Sequence, residues 1–142
     1  MPAPRPADGR PVLLFDGVCN LCNGAVDFVM RHDADRRFLF ASLQSEAARP
    51  YLDRAGLGAD YLASLVLVDE GGAVHTGSDA ALGVGERLDR PWPALARAGR
   101  AVPRPAREAV YRAVARSRYR VFGRRDSCRL PTPAERERFL DA

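Results

Sequence analysis

Two cysteines with two residues between them, in Cys19-Asn20-Leu21-Cys22, are the side chains of this 142-residue chain whose type and spacing can do chemistry. A separation of three positions at the start of a helix puts both sulfurs on one side, close enough to close a disulfide. Cys19 is expected at the helix amino terminus and Cys22 about one turn inside. Unpaired amide N–H groups and the positive end of the helix dipole favour a thiolate at Cys19. The expected chemistry is therefore dithiol–disulfide exchange, with Cys19 attacking a substrate disulfide and Cys22, deeper and protonated, resolving the mixed disulfide. Resolution calls for a base, and Asp16, three residues before Cys19, is the nearest candidate. Its alternative reading is an Asp-Gly turn residue with Gly17. Such a cycle needs no metal or organic cofactor, only an electron donor such as a reductase or a low-molecular-weight thiol. Its partner is a protein or small-molecule disulfide.

The competing reading of a Cys-x-x-Cys pair is half of a zinc site, or a vestigial dithiol in a binding module. Zinc takes two more ligands, and the chain offers Cys128, His32 and His75, none of them a second close pair. His32 is expected to cap a helix end, His75 to lie on a hairpin surface, Cys128 to be an inert thiol, and Trp92 to serve in packing.

The elements that must position the pair follow from periodicity. Val12-Leu13-Leu14-Phe15 is a short unbroken apolar run ending at Asp16-Gly17, which suits a strand buried on both faces. Residues 21–30 are apolar apart from Asn23 and Asp27; with Arg31 these form one polar stripe on an otherwise buried helix. Phe38–Ala41 predicts a second strand, and Ser45 opens a helix towards Ala55 that Pro50 disturbs and Gly56 stops. Leu65–Val68 and Ala73–Thr76, joined through Asp69-Glu70-Gly71-Gly72, predict a hairpin. Ser78 then caps a helix to about Leu88. A strand–helix–strand start followed by a hairpin gives an α/β fold, a mixed four-stranded sheet with helices on both faces. The dithiol falls at the carboxyl end of the first strand, the edge where sites of open α/β sheets collect. Beyond residue 91 the pattern is helical: a short helix after Pro91-Trp92-Pro93, a longer one from Pro105 to Phe122 capped by Gly123, and a last one from the capping box Thr132-Pro133-Ala134-Glu135 to Leu140.

The length suits a single domain over residues 11–142 after a disordered leader of residues 1–10. No apolar run reaches the roughly 18 residues of a membrane span. The leader lacks the apolar core of a secretory signal, and three cysteines are too few for a disulfide-stapled secreted domain. Together these point to a cytoplasmic protein. All 22 basic residues are Arg. Residues 1–89 carry 8 Arg against 13 acidic residues, and residues 90–142 carry 14 Arg against 5. The basic half is read as a solvated face; nucleic acid or an anionic surface is the alternative partner.

The stretch Leu14-Phe15-Asp16-Gly17-Val18-Cys19-Asn20-Leu21-Cys22-Asn23-Gly24 resembles the signature of the thiol-disulfide oxidoreductase DCC family, whose Asp, Cys and Cys fall on Asp16, Cys19 and Cys22. Ala41-Ser42-Leu43-Gln44-Ser45, Tyr119-Arg120-Val121-Phe122-Gly123 and Pro131-Thr132-Pro133 are similar to that family as well, so the likeness covers about residues 11–140. It implies a thioredoxin-like fold and disulfide exchange. The chain departs from thioredoxins proper in its Asn-Leu between the cysteines and in the lack of a proline before Leu65–Val68, which points to a narrower substrate.

Overall fold

The structure, a computed structural model, describes residues 9–58, 61, 64–124 and 132–140. Cys128 and nearly all of the leader lie outside them. Four strands, β1 (Val12–Phe15), β2 (Leu39–Ser42), β3 (Val66–Val68) and β4 (Val74–Thr76), form one mixed sheet in the order β2-β1-β3-β4. β1 pairs in parallel with β2 and antiparallel with β3, and β3 and β4 form the hairpin. Helices α1 (Asn20–Arg31), α2 (Arg49–Arg54), α3 (Gly77–Glu86), α4 (Trp92–Arg100) and α5 (Arg104–Phe122) complete the thioredoxin-like α/β arrangement.

The unbroken apolar run of β1 follows from its central place. Val12 and Leu14 face a core with Ala41, Leu52 and Val66, while Leu13 and Phe15 face the opposite core with Val26, Phe40 and Val84. Every side chain of β1 is buried, as a strand covered on both faces must be.

Four local expectations are corrected. Asn23 does not share the solvent stripe of α1; it is fully buried, and its amide donates to the Gly17 and Cys19 carbonyls, both at 2.9 Å. These two bonds from a buried side chain tie the turn before α1 together. The predicted helix from Ser45 is a 3-10 turn over Glu46–Ala48 followed by α2, because Pro50 can enter only the first turn of a helix. Ser45 Oγ donates back to the Ser42 carbonyl instead of capping.

α3 begins one residue before Ser78, at Gly77, and its capping acceptor comes from another helix. Glu108 of α5 accepts from the Ser78 amide at 3.0 Å and from the Ser78 hydroxyl at 2.5 Å. Gly77 stands there at φ +60, a backbone conformation that L side chains rarely adopt. The last predicted helix shrinks to a 3-10 turn, Arg136–Arg138. The Thr132 amide does donate to Glu135 Oε1 at 3.2 Å, but the chain then turns extended and Leu140 N–H donates to the Phe40 carbonyl at 2.7 Å. Sheet pairing and a buried ion pair, Arg138 to Asp33 at 2.5 Å, win over the helical pattern.

α5 carries no buried residue along its length. It is held by polar contacts: Glu108 to Ser78, Arg107 to Asp79 at 3.1 Å, and Tyr111 and Tyr119 to the sheet edge described next. No helix among the described residues is long and apolar enough to cross a membrane.

Candidate active site

The turn from β1 into α1 is fixed atom by atom. Cys19 N–H donates to the Asp16 carbonyl at 3.2 Å, Val18 N–H to Asp16 Oδ1 at 3.1 Å, and Gly17 N–H to Gln44 Oε1 at 3.0 Å. An Asp side chain that takes the amide two residues on is a common way to start such a turn. Cys19 is left in an extended conformation as the N-cap of α1, and its sulfur accepts from Cys22 N–H at 3.3 Å. The two cysteines sit 3.4 Å apart, both as free thiols, so the expected juxtaposition is present.

Their accessibility is the reverse of the sequence expectation. Cys19 is fully covered and Cys22 is half-buried. The cover is the chain that leaves α5. Asn20 N–H donates to the Gly123 carbonyl at 3.2 Å, the Asn20 side chain donates to the Phe122 carbonyl at 2.8 Å, and Cys19 pairs with Arg124 in an isolated bridge. Gly123 adopts φ +89 and ψ 169, and a Cβ on it would lie 2.9 Å from Asn20 Nδ2. Glycine is needed for this strap to lie so close.

Burial pushes the Cys22 thiol up to about 12, helped by the sulfur of Cys19 beside it and by the charge of Asp16, against a smaller opposing pull from Arg118. Cys22 opens into a cavity of about 210 Å³ whose walls include Leu21, Ala25, Leu65, Val114 and Ala115, with Asp16 and Arg118 at its polar end.

Asp16 is 2% exposed. Burial raises its pKa, but hydrogen bonds from Tyr119, Gln44 and Val18, together with the Arg118 guanidinium, outweigh that and hold the carboxyl below its ordinary value. Gln44 Nε2 donates to Oδ1 at 2.7 Å, while the Tyr119 hydroxyl and Arg118, the latter at 3.4 Å, reach Oδ2. Ser42 Oγ fixes Gln44 in turn, at 2.5 Å. The Tyr119 phenol moves the opposite way: burial and then the Asp16 carboxylate push it up. Asp16 is thus an ionised hub that ties β1, the loop after β2, and α5 to one point.

Three of these partners were not assigned roles from the sequence. Gln44 and Tyr119 sit inside motifs that carry the family resemblance, and Arg118 precedes the second of them. Another α5 residue given no role from the sequence, Tyr111, accepts from the Leu65 amide at 3.0 Å. No local spacing links residues 44 and 119 to residue 16, so only the motifs could have flagged them.

The remaining candidates lie elsewhere. His32 forms the C-cap of α1 and packs its ring against Phe28 and Trp92, with centroids 4.4 and 5.6 Å away. His75, on β4, pairs with Asp69 at 2.9 Å. Among the described residues no group of three or more His, Cys, Asp or Glu side chains converges as a metal site would need.

Residues 13–124 match the sequence model of the DCC1-like thiol-disulfide oxidoreductase family. The chain is 46% identical over 129 residues to the uncharacterized protein YuxK of Bacillus subtilis (strain 168), covering 91% of this chain and 93% of that protein. It is also 46% identical over 123 residues to a chloroplastic DCC family protein of Arabidopsis thaliana, covering 87% of this chain and 71% of the relative. No solved structure matches the chain. A dithiol at the start of α1, an Asp anchoring the turn before it, and a match running from β1 to the strap place this chain in the DCC1-like thiol-disulfide oxidoreductase family.

Proposed function

We propose that the protein is a thiol-disulfide oxidoreductase that cycles Cys19 and Cys22 between dithiol and disulfide. The observation that carries this reading is the pair itself: two free cysteines 3.4 Å apart, with the first capping the helix that holds the second. A single negative charge on the pair is best placed on Cys19, where the Cys22 amide and the first turn of α1 point at the sulfur. Cys22 keeps its proton, directed at Cys19.

The roles follow from charge and access together. Cys22 is the sulfur that meets the substrate, because Cys19 lies beneath the strap. As Cys22 attacks, its proton passes to Cys19; the substrate S–S bond breaks and a Cys22–substrate bond forms. That proton then moves on to the departing substrate sulfur. Cys19, a thiolate again, attacks Cys22, closing the internal disulfide and releasing the second substrate sulfur as a thiolate, which takes a proton from solvent. This inverts the attack order expected from the sequence. Asp16 is a positioning residue in this scheme, since its oxygens are engaged by four donors and its carboxylate is a weak base.

The test is equilibration of the protein in dithiothreitol redox buffers, followed by alkylation and peptide mass measurement. The expected result is a reversible Cys19–Cys22 disulfide that either Cys→Ser variant abolishes. Mixed disulfides should accumulate on Cys22 in Cys19→Ser, and only slowly on Cys19 in Cys22→Ser. A pair that stays reduced throughout, or stoichiometric zinc on protein purified without chelator, overturns the redox reading. A Cys22→Ser protein that forms mixed disulfides faster than Cys19→Ser restores the other order of attack.

A further inference from the structure

The reading above leaves the substrate open, and the surroundings of Cys22 restrict it. The half-buried sulfur faces a partly open cavity of about 210 Å³ between α1, α5 and the residues leading into β3. Taking about 30 Å³ for a water molecule in the liquid, that is room for roughly seven waters. Its apolar walls are Leu21, Ala25, Leu65, Val114 and Ala115, which make most of the lining beside Asp16, Ser64, Tyr111 and Arg118, so the space favours a largely apolar occupant.

The same site is poorly equipped for a polypeptide. An extended peptide docks by pairing its main chain with free N–H and C=O groups of the host. Among the described residues the host segment beside Cys22 is Leu65, at the entry to β3, and its main chain is already engaged. Leu65 N–H donates to the Tyr111 hydroxyl at 3.0 Å, and its carbonyl accepts from Ser64 Oγ at 2.9 Å. The Ser64 hydroxyl also lies 2.9 Å from that of Tyr61 and accepts from Gly77 N–H at 3.1 Å, which anchors the arrangement to α3.

We propose that the disulfide handled by this protein is a small apolar molecule, bound in the cavity with one sulfur against Cys22, and not a disulfide within a polypeptide. The inference rests on the dithiol reading above and adds the substrate class. The balanced step is the two-electron exchange already written: the substrate disulfide is reduced to two thiols as the Cys19 thiolate and the Cys22 thiol become a disulfide, one proton coming from Cys22 and the other from solvent.

The experiment mixes the fully reduced 142-residue protein with oxidised lipoamide, with oxidised glutathione or with insulin. Formation of the Cys19–Cys22 disulfide is quenched by alkylation and followed by mass. Lipoamide, a small apolar cyclic disulfide, should react at least about tenfold faster than either of the others, the discrimination expected of a shaped apolar pocket. Ala115→Phe, which fills the cavity, should cut the lipoamide rate by about tenfold or more while the equilibrium constant against dithiothreitol moves less than about twofold.

Insulin or glutathione reacting as fast as lipoamide overturns the proposal, and so does a lipoamide rate indifferent to the filled cavity. If Ala115→Phe does not fold, Ala115→Val supplies the same comparison, and the preference of the unaltered protein decides regardless. Failure of the dithiol reading looks different: no internal disulfide forms even in dithiothreitol buffers. A pair that forms its disulfide there yet ignores lipoamide sinks only the substrate class.

Discussion

Gly123→Ala tests whether the strap, and not the depth of the helix, hides Cys19. The native backbone at Gly123 lies at φ +89 and ψ 169, a region open to glycine almost alone. An L-residue held there costs of order 1–3 kcal/mol. The added Cβ would also meet Asn20 Nδ2 at 2.9 Å, pushing aside an amide that now donates to the Phe122 carbonyl. Taking about 2 kcal/mol for the local penalty, the population with the strap lifted should rise roughly 30-fold. Alkylation of a covered thiol follows that population when opening and closing are fast compared with the reaction.

The assay is the rate of iodoacetamide labelling at Cys19, read by peptide mass in a Cys22→Ser background with and without Gly123→Ala. Asn20→Ala, which removes the side-chain tie alone, should give a smaller rise of about fivefold, matching a net hydrogen bond of about 1 kcal/mol. Urea melts of the same proteins separate local from global opening. A Cys19 rate unchanged within threefold in Gly123→Ala refutes the reasoning. So does a rise that merely tracks the fall in global stability.

Asp16→Asn should lower unfolding stability by about 2–4 kcal/mol, because a buried amide presents a donor to groups that are themselves donors; a shift of the urea midpoint reads it. Asp16's depressed pKa also fixes a pH window. Its contribution is complete above the ordinary Asp range near pH 4 and is lost as pH falls through the lower folded value, so the variant's acid unfolding should be shallower than that of the parent. Cys22 acts at the other end. With its folded pKa raised from 9.0 to about 12, it contributes stability below pH 9 that is lost on the way to 12, and Cys22→Ser should flatten the alkaline limb of the stability profile. Arg138→Ala strands the buried Asp33 carboxylate and should cost about 3 kcal/mol in urea melts, more than the double change Arg138→Met with Asp33→Leu.

What was legible in the sequence is what local pattern can encode. The apolar run of β1, the Asp-Gly turn and the cysteine spacing sit within a few residues of one another, and each is a short-range signal. The boundaries of β1 and the start of α5 follow from them and from the Pro105 signal closely. The failures share a different cause. Asn23 reads as polar and therefore exposed, yet its partners are the carbonyls of its own turn. Residues 136–140 read as helix, yet Phe40 offers Leu140 a sheet partner 100 residues away in sequence. Cys19 reads as the exposed end of a helix, yet the strap over it comes from residues 122–124. In each case the deciding contact is either a reuse of backbone groups or a long-range pairing, and neither leaves a periodic trace.

The same distinction explains why the candidate site depends on α5. That helix buries none of its own residues, so no hydrophobic stripe announces where it docks. Its position is set by hydrogen bonds that end on the site: Tyr111 on Leu65 beside the cavity, Tyr119 and Arg118 on Asp16, and the Phe122 and Gly123 carbonyls on Asn20. The neutral contacts among these contribute about 1 kcal/mol each, so the strap and the Leu65 tie can open locally well below the free energy of global unfolding. A helix held in this way can shift over the dithiol while the sheet and α1 stay packed. The covering of Cys19 and the walls of the cavity beside Cys22 then respond to the same set of polar ties, and loosening any one of them should alter both sulfurs together.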